Sequence, residues 1–260
     1  PSHPELLDWL SSEFMESGWS LKHLQRLILH SHTFRKSAIN PTSEREDPDN
    51  VLLARWKIKL LEAETVRDSI LKISGTLNKQ LYGKPVPIAQ DAVGRVVTGN
   101  QQRNGRGDPT IVGNIGTDAL RRSIYVQTRR SLPLTVFAAF DAPVMTPNCE
   151  TRTVSVSPSQ PLLMLNDSFI ADQSLQFAEH LLRKFPDSDS ERVSHAWMLV
   201  FGESPTEKET ARSIQYIGEQ LKLLEPKPAT EKEQNYSAQH LALSSFCQAL
   251  FASSRFLYIE

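Results

Sequence analysis

The chain has 260 residues, 39% of them hydrophobic, with 29 Lys plus Arg against 30 Asp plus Glu. That length supports one large core or two modest ones, at roughly 100 to 200 residues per domain. The balanced charge excludes a global field for nucleic acid or an anionic membrane, and no apolar run reaches the roughly 18 to 20 residues of a membrane span.

No charged, apolar, small-residue leader opens the chain. Ser2 and Glu5 instead form an S-x-x-E capping box directly before LLDWL, an abrupt start that reads as a cut from a longer polypeptide. The box predicts a helix that buries Leu6, Leu7, Leu10 and Phe14 and stops at Gly18. Ser20 caps a second helix carrying Leu21, Leu24, Leu27 and Ile28, and the short connection predicts a helical hairpin. After a loop over 37–50, a third helix is predicted over 51–74, with Trp56, Leu60, Ala63, Ile70 and Ile73 on one stripe and Gly75 as its stop. Arg67 interrupts that stripe. An arginine there calls for a carboxylate, and Glu64, Asp68 and Glu62 are within reach, so an internal salt-bridge cluster is expected.

Residues 79–118 hold seven of the 11 glycines, with Asn104-Gly105 as a turn signal and little apolar periodicity, and read as a long loop or lid. The Arg106-Gly107-Asp108 tripeptide within it is explained by turn chemistry. Alternation over Arg121 to Thr128 predicts a strand, with a second over Arg152 to Val156; together they make a small antiparallel ribbon packed on helices. Helix returns at Ser157, where Pro158 and Gln160 complete a capping box, and Asp167 caps the helix that follows. Further helices are predicted over 190–201, ended by Gly202, from Pro205 to Leu224 with Ser204 and Glu207 as capping box, and over 237–254. The fold class is therefore α+β: mostly helical, with a small antiparallel β ribbon and a long glycine-rich loop. It is read as one domain over 1–260, with subregions at 1–78, 79–157 and 158–260.

The common catalytic signatures are missing: no G-x-S-x-G, no H-E-x-x-H and no phosphate-cradling glycine loop. Cys149 and Cys247 form no C-x-x-C and sit beside no metal-spaced histidine, so no metal site is expected. Cys247 falls on the stripe of Leu243, Phe246 and Leu250 as a small buried hydrophobe. Cys149, in a polar loop, is a reactive thiol, an idle one, or half of a bridge to Cys247. His30 and His32 point to different helix faces, a spacing unsuited to a metal and fitting for surface histidines.

Two polar groupings carry potential chemistry. Asp141 and Asp167 bracket the ribbon with Arg152 between them, as an acid and base pair or as helix and turn caps. Arg121, Arg122, Arg129 and Arg130 surround Tyr125, as an anion site for sulfate, carboxylate or phosphate or as a charged strand edge. Tyr125 with Trp9, Trp19, Trp56 and Trp197 reads as sugar-stacking platforms or as core. The candidate ligand-binding set is Arg122, Arg129, Asp141, Arg152, Gln160, Asn166 and Asp167, gathered where the ribbon meets the Asn166-Asp167 helix junction.

Several stretches carry a resemblance: SHPELLDWLSSEF, SGWSLKHLQRLI, LEAETVRDSIL with Ser74-Gly75, RRSIY, FDAP, Cys149 with Arg152, PSQPLLMLND and the closing ALSSFCQALFASSRFLYIE. They resemble the C-terminal domain of unknown function of planctomycete-type secreted cytochrome c-like proteins. That resemblance implies an exported protein in which a haem-binding domain and a second uncharacterised domain precede this one. It also implies an association with the breakdown of complex, often sulfated, polysaccharides. The chain has no C-x-x-C-H, so haem is expected only in the upstream domain and no cofactor here. Where relatives read T-N-T-P-L-Q-A-L, this chain reads VSVSPSQPLL from Val154 to Leu163 and lacks the hydroxyl-amide pattern. The expected function is a non-catalytic ligand-binding or assembly module. Its partners would be the upstream domains of its own polypeptide and an anionic glycan, with no nucleic acid and no membrane span. The alternatives are an enzyme domain on sulfated or uronic glycans, with Asp141 or Asp167 as proton donor or base, and a purely structural domain.

Overall fold

A computed structural model describes residues 1–91, 93–103, 109–111, 115–143, 157–224 and 236–259. Helices α1 (Pro4–Glu16), α2 (Leu21–His30) and α3 (Pro41–Glu46) come first, followed by the two-residue strand β1 (Lys59–Leu60). Then come α4 (Ala63–Ile73), strands β2 (Ile88–Gln90), β3 (Val96–Thr98), β4 (Gln101–Arg103) and β5 (Pro109–Ile111), and 3-10 turns at Gly116–Leu120 and Ser123–Tyr125. Next are α5 (Thr135–Ala139), α6 (Ser159–Asn166), α7 (Ser168–Lys184) and α8 (Asp189–Phe201). The last elements are α9 (Glu207–Leu224), α10 (Ala238–Phe251), α11 (Ser254–Leu257) and β6 (Tyr258–Ile259). The fold is mostly helical α+β, and its described strands pair only in antiparallel twos: β1 with β6, β2 with β3, β4 with β5.

Two compact units form, Pro1–Leu60 with Tyr258–Glu260, and Leu61–Leu257. In the first, α1 and α2 make the expected hairpin, tied by Glu13 to His23 at 2.9 Å. Gly18 takes a left-handed φ of 71° after α1, and the Ser20 hydroxyl accepts from the His23 amide. The start of α1 differs from expectation: Pro4 occupies the first turn, His3 is the cap residue, and the Ser2 hydroxyl bonds the His3 ring instead of closing a capping box. Leu6 and Leu7, expected to be buried, are exposed at 44% and 52%, while Leu10 and Phe14 are half-buried.

The long third helix over 51–74 begins only at Ala63. Ahead of it the Asp47 carboxylate accepts from the amides of Val51 and Leu52, and Asn50 exchanges two hydrogen bonds with the Arg55 backbone. Asn50 and Leu53 both adopt left-handed backbone, which no α-helix contains. Arg55 completes the turn by donating to the carbonyls of Ser43 and Asp47. Apolar periodicity over 51–60 was genuine, but side-chain competition for the backbone decided the outcome. The predicted loop over 37–50 likewise contains α3, capped by Asn40.

The second unit is built on α7 and α10, where Phe177 and Phe251 stack at 5.8 Å beside buried Ile170, Leu181 and Leu243. α4 joins them through Gln173, whose Oε1 accepts from Ser74 at 2.8 Å and from Thr76 at 2.5 Å. Asp167 caps α7 as expected, accepting from the Phe169 amide at 2.9 Å, and Gln248 donates to the terminal carbonyls of α6 at Met164 and Leu165. Gly202 ends α8 at φ 77°. The α9 capping box lies two residues later than expected, on Thr206 and Glu209. Cys247 is a free thiol, fully buried, and burial pushes its pKa up. Cys149 lies outside the described residues.

The ribbon is relocated. Hairpin strands β2 to β5 lie in the glycine-rich stretch read as a loop, whereas the expected strand over 121–128 is a 3-10 turn flanked by single bridges to Asn78 and Val86. Val86, Ile88 and Val96 bury against Val126 and Leu134 as a small satellite core, and apolar burial of this kind outweighs glycine content. The second expected strand over 152–156, the Asn104-Gly105 turn and the 106–108 tripeptide lie outside the described residues.

On α7 and α8, the His180 and His195 rings sit 6.3 Å apart and the Lys184 ammonium donates to His195 Nε2 at 3.1 Å. Burial, then Arg183 and Lys184, lowers the His180 pKa; burial, then Lys184 and His180, lowers that of His195. Histidines that resist protonation only when folded stabilise the fold above the ordinary value of 6.5, and that contribution is lost as pH falls below it. Urea midpoints measured from pH 7.5 to 5 should therefore decline with acidity, and a His180→Gln, His195→Gln double variant should decline less steeply.

Candidate functional site

The second unit holds a cavity of about 890 Å³ between one face of α4, the strap from Arg122 to Arg130, and α5 with the turn after it. α4 contributes Thr65, Asp68, Ser69 and Lys72, side chains three and four residues apart that share one helix face. The strap contributes Arg122, Arg129 and Arg130, and the far side is Phe137 and Asp141. With Glu62 and Glu64 at the mouth of α4, the lining carries Lys72, Arg122, Arg129 and Arg130 against Glu62, Glu64, Asp68 and Asp141.

The strap is held from behind by two buried guanidinium groups. Arg67, 2% exposed, donates to the Arg121 carbonyl at 2.8 Å, the Ala119 carbonyl at 2.6 Å and the Ser123 hydroxyl at 3.3 Å. The Asp68 carboxylate lies 3.8 Å away and the Phe169 ring 5.5 Å away. Burial lowers its pKa to about 10, opposed by Asp68, which leaves it charged at neutral pH. Of the carboxylates expected around Arg67, Asp68 stands at ion-pair distance, with carbonyl oxygens as closer acceptors. Arg121, expected on an exposed strand face, is 3% exposed: it donates to the carbonyls of Tyr82 and Lys84 and stacks over Tyr125 at 4.2 Å.

Asp68 joins this support to the cavity. Its Oδ1 accepts from the Ser123 amide at 2.7 Å and hydroxyl at 2.6 Å, and its Oδ2 faces Arg122 Nε at 3.5 Å. These bonds turn the chain into its 3-10 conformation at Ser123 and present Arg122 outward. Arg129 Nη2 donates to Gln127 at 3.4 Å. Asp141 stands on left-handed backbone at φ 52°, a conformation that aspartate tolerates better than most residues.

Of the residues singled out from sequence, Arg122, Arg129 and Asp141 meet in this cavity. Gln160, Asn166 and Asp167 do not line it. Gln160 is buried in α6, the exposed Asn166 donates to Leu162 within the same helix, and the buried Asp167 carboxylate caps α7. Arg152 lies outside the described residues. Sequence reasoning did not assign Thr65, Ser69 and Lys72 to a site, although the signal was present as a polar stripe at helical spacing on α4. No group of metal-ligating side chains occurs among the described residues, and no described helix is long and apolar enough to cross a membrane.

A family profile matches residues 1–217, well over half of the chain. The chain belongs to the PSD1 family of proteins of unknown function (DUF1553). The match takes in both walls of the cavity and ends before α10, so the closing ALSSFCQALFASSRFLYIE segment of this PSD1 protein lies beyond it. No curated protein and no solved structure matches the chain.

The support behind the strap makes a direct prediction. Arg67→Ala should cost about 3 kcal/mol or more, because the Ala119 and Arg121 carbonyls lose a buried donor. Arg67→Lys should recover only part of this, since one ammonium cannot reproduce the planar fork. Urea denaturation of both variants checks the ranking; a midpoint for Arg67→Ala equal to that of the parent would show that the strap is held by other contacts.

Proposed function

We propose that this PSD1 domain is a non-catalytic binding module whose cavity takes a polyhydroxylated ligand with an acidic substituent, the chemistry of a sulfated or uronic glycan. One observation carries the reading: four basic and four acidic side chains line a single cavity of about 890 Å³. Guanidinium groups suit a sulfate or carboxylate bidentately, carboxylates accept from sugar hydroxyls, and Phe137 supplies an apolar surface for a ring. The size falls within the range of about 300 to 1,000 Å³ typical of small-ligand sites. The resemblance drawn from sequence supports an exported, haem-linked polypeptide whose upstream domains are this module's partners and carry the haem.

Titration calorimetry of the full chain with sulfated and uronic oligosaccharides, beside neutral ones, tests this. The anionic sugars should bind, and an Arg122→Ala, Arg129→Ala double variant should bind at least about tenfold more weakly with its far-UV spectrum unchanged. Equal binding by the variant moves the site elsewhere, and no binding at any salt concentration removes the glycan. A hydrolytic reading draws on the same cavity, because Asp68 and Asp141 both line it. It requires two carboxyls roughly 5 to 9 Å apart across a glycosidic bond. Release of reducing ends by the parent chain and its loss in Asp141→Asn would favour hydrolysis over binding alone.

A further inference from the structure

A second concavity, of about 1,020 Å³, lies wholly within the first unit and shares no residue with the cavity above. Its floor is apolar and aromatic, with Leu6, Trp9 and Leu10 from α1, Leu27 from α2, and Phe34 and Trp56 packed edge to face at 4.9 Å. Trp9 is 51% exposed and Leu6 44%, although both stand in the groove where a core would normally close over them. The third wall is rigid: the Asp47, Asn50 and Arg55 bonds pin it, and Asn50 and Leu53, both on left-handed backbone, line the groove.

The charge around this groove has one sign. Apart from Arg55, which is occupied with backbone carbonyls, its ionisable side chains are His3, His23, His30, Arg26, Lys57 and Lys59. Among the described residues no aspartate or glutamate lines it. His23 is already met by Glu13 at 2.9 Å, and the Lys59 ammonium lies 5.5 Å over the Trp56 ring; Arg26 and Lys57 are exposed. The lysine and arginine side chains stand on two walls: Arg26 on α2, and Lys57 and Lys59 on the third wall.

We propose that this groove docks an amphipathic helix of a partner polypeptide, apolar on the face that enters and acidic along its flanks. An amphiphile with a single anionic head would need its cations clustered at one point, whereas cations on two walls beside an apolar floor match a helix carrying carboxylates on both flanks. Exposed tryptophan with arginine at the edge is the composition of an energetically dominant contact patch. The 13 residues of α1, about 20 Å long, provide the length for three to four turns of a partner helix.

The probe is a synthetic amphipathic peptide of about 18 residues, with leucines at i, i+3, i+4 and i+7 and glutamates on the flanking positions. Its twin carries lysines in place of the glutamates. Both are titrated into the ¹⁵N-labelled full chain and followed by amide shifts. The glutamate peptide should bind and move amides of α1, α2 and 50–59, and the lysine peptide should bind at least about tenfold more weakly. A Lys57→Glu, Lys59→Glu variant, altered only at exposed positions, should reverse that order; Trp9→Ala should weaken both peptides. Equal affinity for the two peptides, shifts confined to other residues, or laurate binding at 50–59 while neither peptide binds would each overturn the proposal.

Discussion

A charged guanidinium sealed inside the second unit organises more of this protein than any other group. Burying Arg67 is tolerable only because its donors meet the carbonyls of Ala119 and Arg121 and the Ser123 hydroxyl, with the Asp68 carboxylate close by. Those acceptors lie more than fifty residues away in sequence, so the contact fixes where the 119–123 segment lies on α4. Asp68, the next residue, then captures the Ser123 amide and hydroxyl, and the chain turns. Arg121 finishes the anchoring from the other side through Tyr82 and Lys84. A strap pinned in this manner holds Arg122 and Arg129 at the cavity wall.

The two units solve the burial problem differently. In the second, α7, α10 and α4 close over fully buried Phe177, Phe251 and Ile70, and polar groups such as Gln173 are used to knit helices together. In the first, neither α1 nor α2 buries any residue completely, and aromatic and leucine side chains stay open along a groove with a basic rim. A segment of about sixty residues has a small interior, and here the apolar face of the two-helix hairpin is left partly exposed. One cavity is lined by charges of both signs and the other is apolar with basic side chains at its edge.

Much of the helical skeleton was legible because its signals are local. Ser20 and Asp167 cap the helices expected of them, Gly18 and Gly202 end theirs in left-handed backbone, and Cys247 falls inside on its apolar stripe. Expectation failed where a side chain reached beyond its own turn. The stripe over 51–60 looked helical, yet Asp47 and Asn50 claimed its backbone groups; the alternation over 121–128 looked like a strand, yet Asp68 and Arg67 bent it. Glycine-rich 79–118 looked structureless because its strands are only three residues long and gain their stability from Val126 and Leu134 across the satellite core.

For the site, residue type was readable and convergence was not. Arg122, Arg129 and Asp141 stood out as polar groups in a short passage of sequence, and so did Gln160, Asn166 and Asp167, but nothing in spacing separated the first three from the last. Composition, caps and periodicity determined a mostly helical α+β chain without a membrane-spanning helix among its described residues, because those properties depend on neighbours within a turn or two. Tertiary structure alone decided which arginines are buried anchors and which face a cavity. That choice is made by acceptors 37 to 54 residues distant, and a guanidinium gives no sign in sequence of whether it will meet water or a carbonyl.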